Sequence, residues 1–217
     1  MNQLDPTEFI IRRKRKKYRF ALFYNSPFCF EIAEWTLDPP PQFLEIGAGT
    51  ALFSVARAEQ APDKQHVAVD VKADRLQAGA RVASTKKVAN LRFLRARADQ
   101  LPGLFLPYSL ESIWITFPDP FPKDHTAKRR LTHPRFLSLY ASLLQTGGKL
   151  SMKTDAIPLF NWSLEQLTSM GWVIEELSVD LHNSALPESY KLQTTYEERY
   201  HKEGAKIHFV CARPPKE

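Results

Sequence analysis

Cysteine is scarce. Two residues in 217, Cys29 and Cys211, exclude a disulfide scaffold and a four-cysteine zinc site. They read as reduced thiols, which points to a reducing compartment and so to the cytoplasm. Long apolar runs are missing too. Nothing approaches the roughly 20 residues of a membrane helix, and the best candidate, Phe20 to Phe30, is broken by Asn25, Ser26 and Pro27. A secretory leader is not expected, because Asp5 and Glu8 precede the basic run and no uninterrupted apolar segment follows it. No internal repeat is present. The six histidines, His66, His125, His133, His182, His201 and His208, show no ligand spacing, so no metal is expected.

What is present is a body able to bury a core, at 43% hydrophobic residues, and a net charge of +6 from one place. Arg12, Arg13, Lys14, Arg15, Lys16 and Lys17 are six consecutive cations that account for the whole excess. A neutral body with a basic arm suggests one anchored contact with a nucleic-acid backbone. A solvated tail or an import signal fits the same letters.

Pro39-Pro40-Pro41 separates this segment, 1–38, from a regular body, 39–217. The body alternates short apolar runs with helical patterns. Strands are expected at Phe43–Ile46, His66–Val71, Leu91–Leu94, Ser112–Phe117, Lys149–Lys153, Trp172–Val179 and Ile207–Cys211. Helices are expected at Ala51–Gln60, Asp74–Thr85, Pro134–Gln145 and Pro158–Met170, with Gly147-Gly148 ending the third. The pattern predicts an α/β fold, a mostly parallel sheet covered on both faces. Ligands in such sheets bind beyond the carboxyl ends of the strands.

The residues there carry chemistry. Glu45-Ile46-Gly47-Ala48-Gly49-Thr50-Ala51 spans the end of the first strand and the turn after it, and its glycines suit either a ligand loop or a plain strand-to-helix turn. Leu52 stands where a dinucleotide loop would place its third glycine. Asp70, about 20 residues on, can accept both ribose hydroxyls or cap a helix. Asp99 can accept from an adenine amino group or remain a solvated acid. After the fourth strand comes Phe117-Pro118-Asp119-Pro120-Phe121-Pro122-Lys123, where three prolines stiffen the setting of one acid. Lys128-Arg129-Arg130 follows and suggests an anionic substrate nearby.

These residues, with Thr154-Asp155 and Thr194-Thr195-Tyr196-Glu197-Glu198-Arg199, resemble the bacterial tRNA (guanine-N7-)-methyltransferase family over about Phe43 to Val210. The resemblance implies a Rossmann-like class I methyltransferase fold with a seven-stranded sheet. It implies S-adenosylmethionine as cofactor and methylation of guanine N7 in the variable loop of tRNA. It assigns Glu45, Gly47, Gly49, Asp70, Asp99 and Asp119 to the cofactor site, and Asp119 also to catalysis. Lys123, Asp155, Thr194, Thr195, Tyr196 and Glu197 match substrate-binding positions. Three departures stand out: Ala51 replaces the last glycine of the loop, Phe121 a tryptophan, and His125-Thr126 an Arg-His pair.

The expected partner is tRNA, with neither membrane nor metal, and the protein acts as a monomer or a homodimer. Rival readings are a methyltransferase of another RNA, a protein or a small molecule, an NAD-dependent oxidoreductase, and a non-catalytic RNA-binding relative. The missing third glycine and the proline-rich loop count against the oxidoreductase. The retained carboxylates count against the non-catalytic relative.

Overall fold

A computed structural model describes residues 14–192 and 205–215. The chain forms two compact units that divide between Gln100 and Leu101.

In the first unit, α1 (Lys14–Tyr24) and β1 (Cys29–Glu31) precede β2 (Phe43–Ile46), α2 (Leu52–Gln60), β3 (His66–Asp70), α3 (Ala73–Lys86) and β4 (Leu91–Arg95). The strand order is β1-β4-β3-β2, and every neighbouring pair is parallel. Every residue of β3 is buried, as a strand covered on both faces requires. Leu76, Ala80 and Ala83 on one face of α3 meet Val55 and Ala58 of α2 and Phe93 of β4 in the core. Helix α1 packs on α3 and brings Phe23 into the same cluster. The basic run is therefore not simply an arm. Arg12 and Arg13 lie outside the described residues, whereas Lys14 to Lys17 form the first turn of α1.

The second unit holds β5 (Leu110–Thr116), α4 (Pro134–Leu143), β6 (Leu144–Thr154), α5 (Ile157–Ser169), β7 (Val173–Ser178) and β8 (His208–Arg213). The order is β5-β6-β8-β7. β5 and β6 are parallel, while β8 inserts between β6 and β7 and runs antiparallel to both. Pro134 sits in the first turn of α4, where its missing N–H costs nothing.

Two expectations change. The described residues hold eight strands rather than seven; the extra one, β1, has only three residues, too few to show a period. Helix α4 does not run to Gly147-Gly148. It stops at Leu143 and passes straight into β6, an 11-residue strand whose pairing with β5 shifts register between Leu110 and Ser112, and the two glycines lie within it. Glycine in a strand marks such irregularity as readily as glycine after a helix marks a cap. Among the described residues no helix is long and apolar enough to cross a membrane.

Candidate active site

In the first unit the site is built around a turn that needs three left-handed residues in five. Gly47 and Gly49 have φ of 72° and 56°, and Ala51 has φ of 55°. The alanine that departs from the family pattern thus occupies a conformation costing a non-glycine residue about 1–2 kcal/mol. Cross-links hold it there. The Gly47 and Ala48 amides donate to the Val69 carbonyl at 2.8 and 3.0 Å, and the Ala51 amide to the Ala48 carbonyl at 2.7 Å. Ala51 is the N-cap of α2 and offers no capping side chain.

Asp70 fastens this turn to the end of β3. Its Oδ2 accepts from the Gly49 amide and its Oδ1 from the Lys72 amide, both at 2.8 Å. It therefore organises two loops at once and is not a cap inside α3. A carboxylate has about four acceptor positions, so two bonds leave capacity for two ribose hydroxyls. Val71, next in the chain, is 51% exposed and offers an apolar face beside that carboxylate. Glu45 is buried in β2, and the Ser54 hydroxyl of α2 donates to its Oε2 at 2.5 Å. Asp99 lies beyond β4, and its two oxygens accept from Arg97 Nε and Nη2, each at 2.9 Å. This paired carboxylate raises the Arg97 pKa. Both side chains are exposed, and a pair so solvated yields readily to a competing donor.

One residue of this site carries no signal in sequence. Gly79 lies mid-helix in α3, and a Cβ there would meet the Thr50 carbonyl oxygen at 2.5 Å and Phe93 Cε1 at 2.8 Å. The helix lies directly against the Gly47–Ala51 loop because position 79 has no side chain.

In the second unit the segment after β5 is bent and pinned. The Phe117 amide donates to the Lys153 carbonyl at 2.8 Å. Phe117 and Phe121 have φ of 49° and 42°, each an arrangement costing about 1–3 kcal/mol. Prolines at 118, 120 and 122 fix φ there and restrict the residue before each. Asp119 and Lys123 are exposed. The Thr126 hydroxyl, in place of the family's histidine, donates to the Lys123 carbonyl at 2.7 Å.

Arg130 corrects the reading of a uniform basic cluster. Lys128 and Arg129 are exposed, but Arg130 is buried and its guanidinium donates to the carbonyls of Pro120 and Phe121. A run of cations cannot reveal which member turns inward.

Asp155 follows β6, half-buried, one residue before the cap of α5. Its neighbour Thr154 takes the Ala156 amide on Oγ1 at 3.1 Å. Lys153 is fully buried, and its Nζ donates to the Leu192 carbonyl at 2.7 Å. That bond fixes the chain just before Thr194, Thr195, Tyr196 and Glu197, which lie outside the described residues. Among the described residues no group of three or more His, Cys, Asp or Glu could hold a metal ion.

Comparisons with known proteins show the family in which these loops occur. The family described as "Putative methyltransferase" matches residues 39–210, which include every residue named above from Glu45 to Glu197. A tRNA (guanine-N(7)-)-methyltransferase of Cytophaga hutchinsonii is 36% identical over 180 residues, covering 82% of this chain and 81% of that protein. One of Brevibacillus brevis is 37% identical over 172 residues, covering 79% and 80%. Among solved structures, the 16S rRNA methyltransferase KamB superimposes with a TM-score of 0.60 at 17% identity, covering 84% of this chain and 90% of KamB. That likeness shows the Rossmann-like α/β methyltransferase fold. An identity above one third, held over four fifths of both chains, shows more than the fold: this chain belongs to the tRNA (guanine-N(7)-)-methyltransferase family.

Proposed function

We propose that the protein transfers the methyl group of S-adenosylmethionine to N7 of a guanine in the variable loop of tRNA, forming 7-methylguanosine. The observation that carries the reading is the family match, because it runs through every loop in which the acids lie.

The first unit supplies the cofactor residues Glu45, Gly47, Gly49, Asp70 and Asp99. Asp70 accepts the ribose hydroxyls on the positions its two backbone bonds leave open. Val71 gives the adenine ring an apolar face, and Asp99 accepts from its amino group by displacing Arg97. Gly47, Gly49 and Glu45 shape and charge the loop that receives the remainder of the molecule. When bound, the cofactor supplies a methyl sulfonium, a strong electrophile.

The second unit supplies the substrate residues. Guanine N7 carries an in-plane lone pair, so no residue need remove a proton before transfer. What the chain must provide is alignment and charge. Asp119, held by its prolines and pinned carbonyls, offsets the positive charge that develops on the purine. Asp119 and Asp155 accept from the guanine N1–H and amino group. A site built to receive those donors rejects adenine, which lacks them, by far more than shape alone could. Lys123 and the exposed Lys128 and Arg129 neutralise phosphates. Thr194 to Glu197 complete the contact with tRNA. The working unit is a monomer or a homodimer in the cytoplasm, where its substrate resides.

The test is transfer of labelled methyl from S-adenosylmethionine to bulk tRNA, followed by nucleoside analysis. The expected product is 7-methylguanosine. Label in another nucleoside, or in none, refutes the reading.

A further inference from the structure

Arg130 is 8% exposed, whereas its neighbours Lys128 and Arg129 face solvent. Its Nε donates to the carbonyls of Pro120 and Phe121 at 3.1 and 3.3 Å, and its Nη2 donates to Phe121 at 3.0 Å. The guanidinium carbon lies 4.5 Å from the centroid of the Trp162 ring. Two carbonyls and one aromatic face occupy the group, so it is engaged by the protein rather than offered to a phosphate. The carbonyls belong to the two residues that directly follow Asp119. One of them, Phe121, has the strained φ of 42°. Trp162 stands on α5, the helix that begins two residues after Asp155.

We propose that Arg130 is a positioning residue of the methyl transfer. Its fork clamps the Pro120–Phe121 backbone against Trp162 and so sets the direction of the Asp119 carboxylate. The same contact joins the Asp119 loop to the helix that carries Asp155 at its entry. Prolines stiffen the loop internally, but only an external hold can orient it relative to the rest of the unit. A lysine could not replace the arginine, because a point charge has neither the fork nor the planar face. This inference rests on Asp119 being the catalytic group of the reading above, and the experiment separates the two.

The experiment uses the full chain and a tRNA transcript, with rates measured at saturating S-adenosylmethionine and tRNA for Asp119→Ala, Arg130→Met and the double variant. Arg130→Met is expected to lower the saturated rate about 10- to 100-fold, the scale of a misplacement near 1 Å, with KM for tRNA and cofactor affinity changed less than about twofold. In the Asp119→Ala background the same substitution should cost nothing further, because its effect passes through Asp119. Millimolar guanidinium should restore part of the rate to Arg130→Ala, which a general loss of stability would not permit. If Arg130→Met does not fold, Arg130→Lys carries the test with a loss in the same direction.

A wild-type saturated rate in the Arg130 variants, with Asp119→Ala impaired, overturns the clamp alone. So does an additive loss in the double variant. A raised KM with a flatter salt dependence of tRNA binding would make Arg130 a phosphate ligand instead. A normal rate in Asp119→Ala overturns the catalytic reading itself and the clamp's purpose with it.

Discussion

Replacing Asp70 by asparagine changes one atom and should cost the protein twice. The carboxylate accepts from two backbone amides, Gly49 and Lys72, at 2.8 Å each. An asparagine of the same shape can accept at one of these positions and must present its own NH2 group to the other. A hydrogen bond to a charged group contributes about 1.5–3 kcal/mol, and a buried donor left unpaired costs about 1–3 kcal/mol. Asp70 is 9% exposed, so water cannot fully repair the loss, and the two effects overlap to a total of about 2–4 kcal/mol. In a chain of this length that lowers the melting temperature of the cofactor-free protein by roughly 5–15 °C. Cofactor affinity should fall separately. Losing the charged acceptor of a ribose hydroxyl weakens S-adenosylmethionine by about 1.5–3 kcal/mol, a factor of roughly 10–150 in Kd. Thermal unfolding of the free protein and titration calorimetry with S-adenosylmethionine measure the two effects, while tRNA affinity should change little. An unchanged melting temperature would refute the role of Asp70 in fastening the loop. An unchanged Kd would refute its role at the ribose.

Asp119→Ala should lower turnover about 10²-fold or more, the scale of removing a preorganised electrostatic group, with the melting temperature preserved because the side chain is exposed; steady-state kinetics on purified protein decide it. Gly79→Ala should destabilise despite alanine's better helix propensity of about 1 kcal/mol, because forcing a Cβ into so close a contact costs about 1–3 kcal/mol. It should also weaken cofactor binding, and a higher melting temperature in the variant would refute the close approach to Thr50. His66, stacked on Phe43 with ring centroids 4.8 Å apart, has its pKa lowered from 6.5 to about 4, by burial first and then by the nearby Arg57 guanidinium. Between those values the unfolded chain binds a proton that the folded chain refuses, so stability is full above pH 6.5 and falls with pH toward 4, by about 3 kcal/mol in all. Urea unfolding at several pH values should show a shallower fall in His66→Phe than in the parent.

The parts of the fold that were legible in the sequence are those set by local periodicity and by turn chemistry. β2 ends at Ile46 because Gly47 turns the chain, and β3 ends at Asp70 because a polar group there finds backbone amides. The acids after the strands could be found because the architecture says where to look. The missing last glycine was visible as Ala51, but its left-handed backbone was not, since a residue's φ follows from the turn around it. Contacts between distant segments left no such trace. Arg130 reaches back ten residues to carbonyls that every residue possesses, so nothing in its letter separates it from Arg129. Gly79 reads as an ordinary weak point in a helix until the Thr50 carbonyl is seen beside it. Lys153 closes the mixed run Lys149-Leu150-Ser151-Met152-Lys153, where nothing in the letters separates the buried lysine from Lys149, and its carbonyl partner stands 39 residues away.

Whether this chain methylates guanine N7 in the variable loop of tRNA is decided by mapping the product. An unmodified tRNA transcript is incubated with the full chain and S-adenosylmethionine, then reduced and treated with aniline, which cleaves RNA at N7-methylated guanine. A single cut is expected, at a guanine of the variable loop, that disappears with Asp119→Ala. A cut elsewhere in the tRNA, an undiminished cut in the variant, or methyl transfer without any cut would contradict the proposed activity.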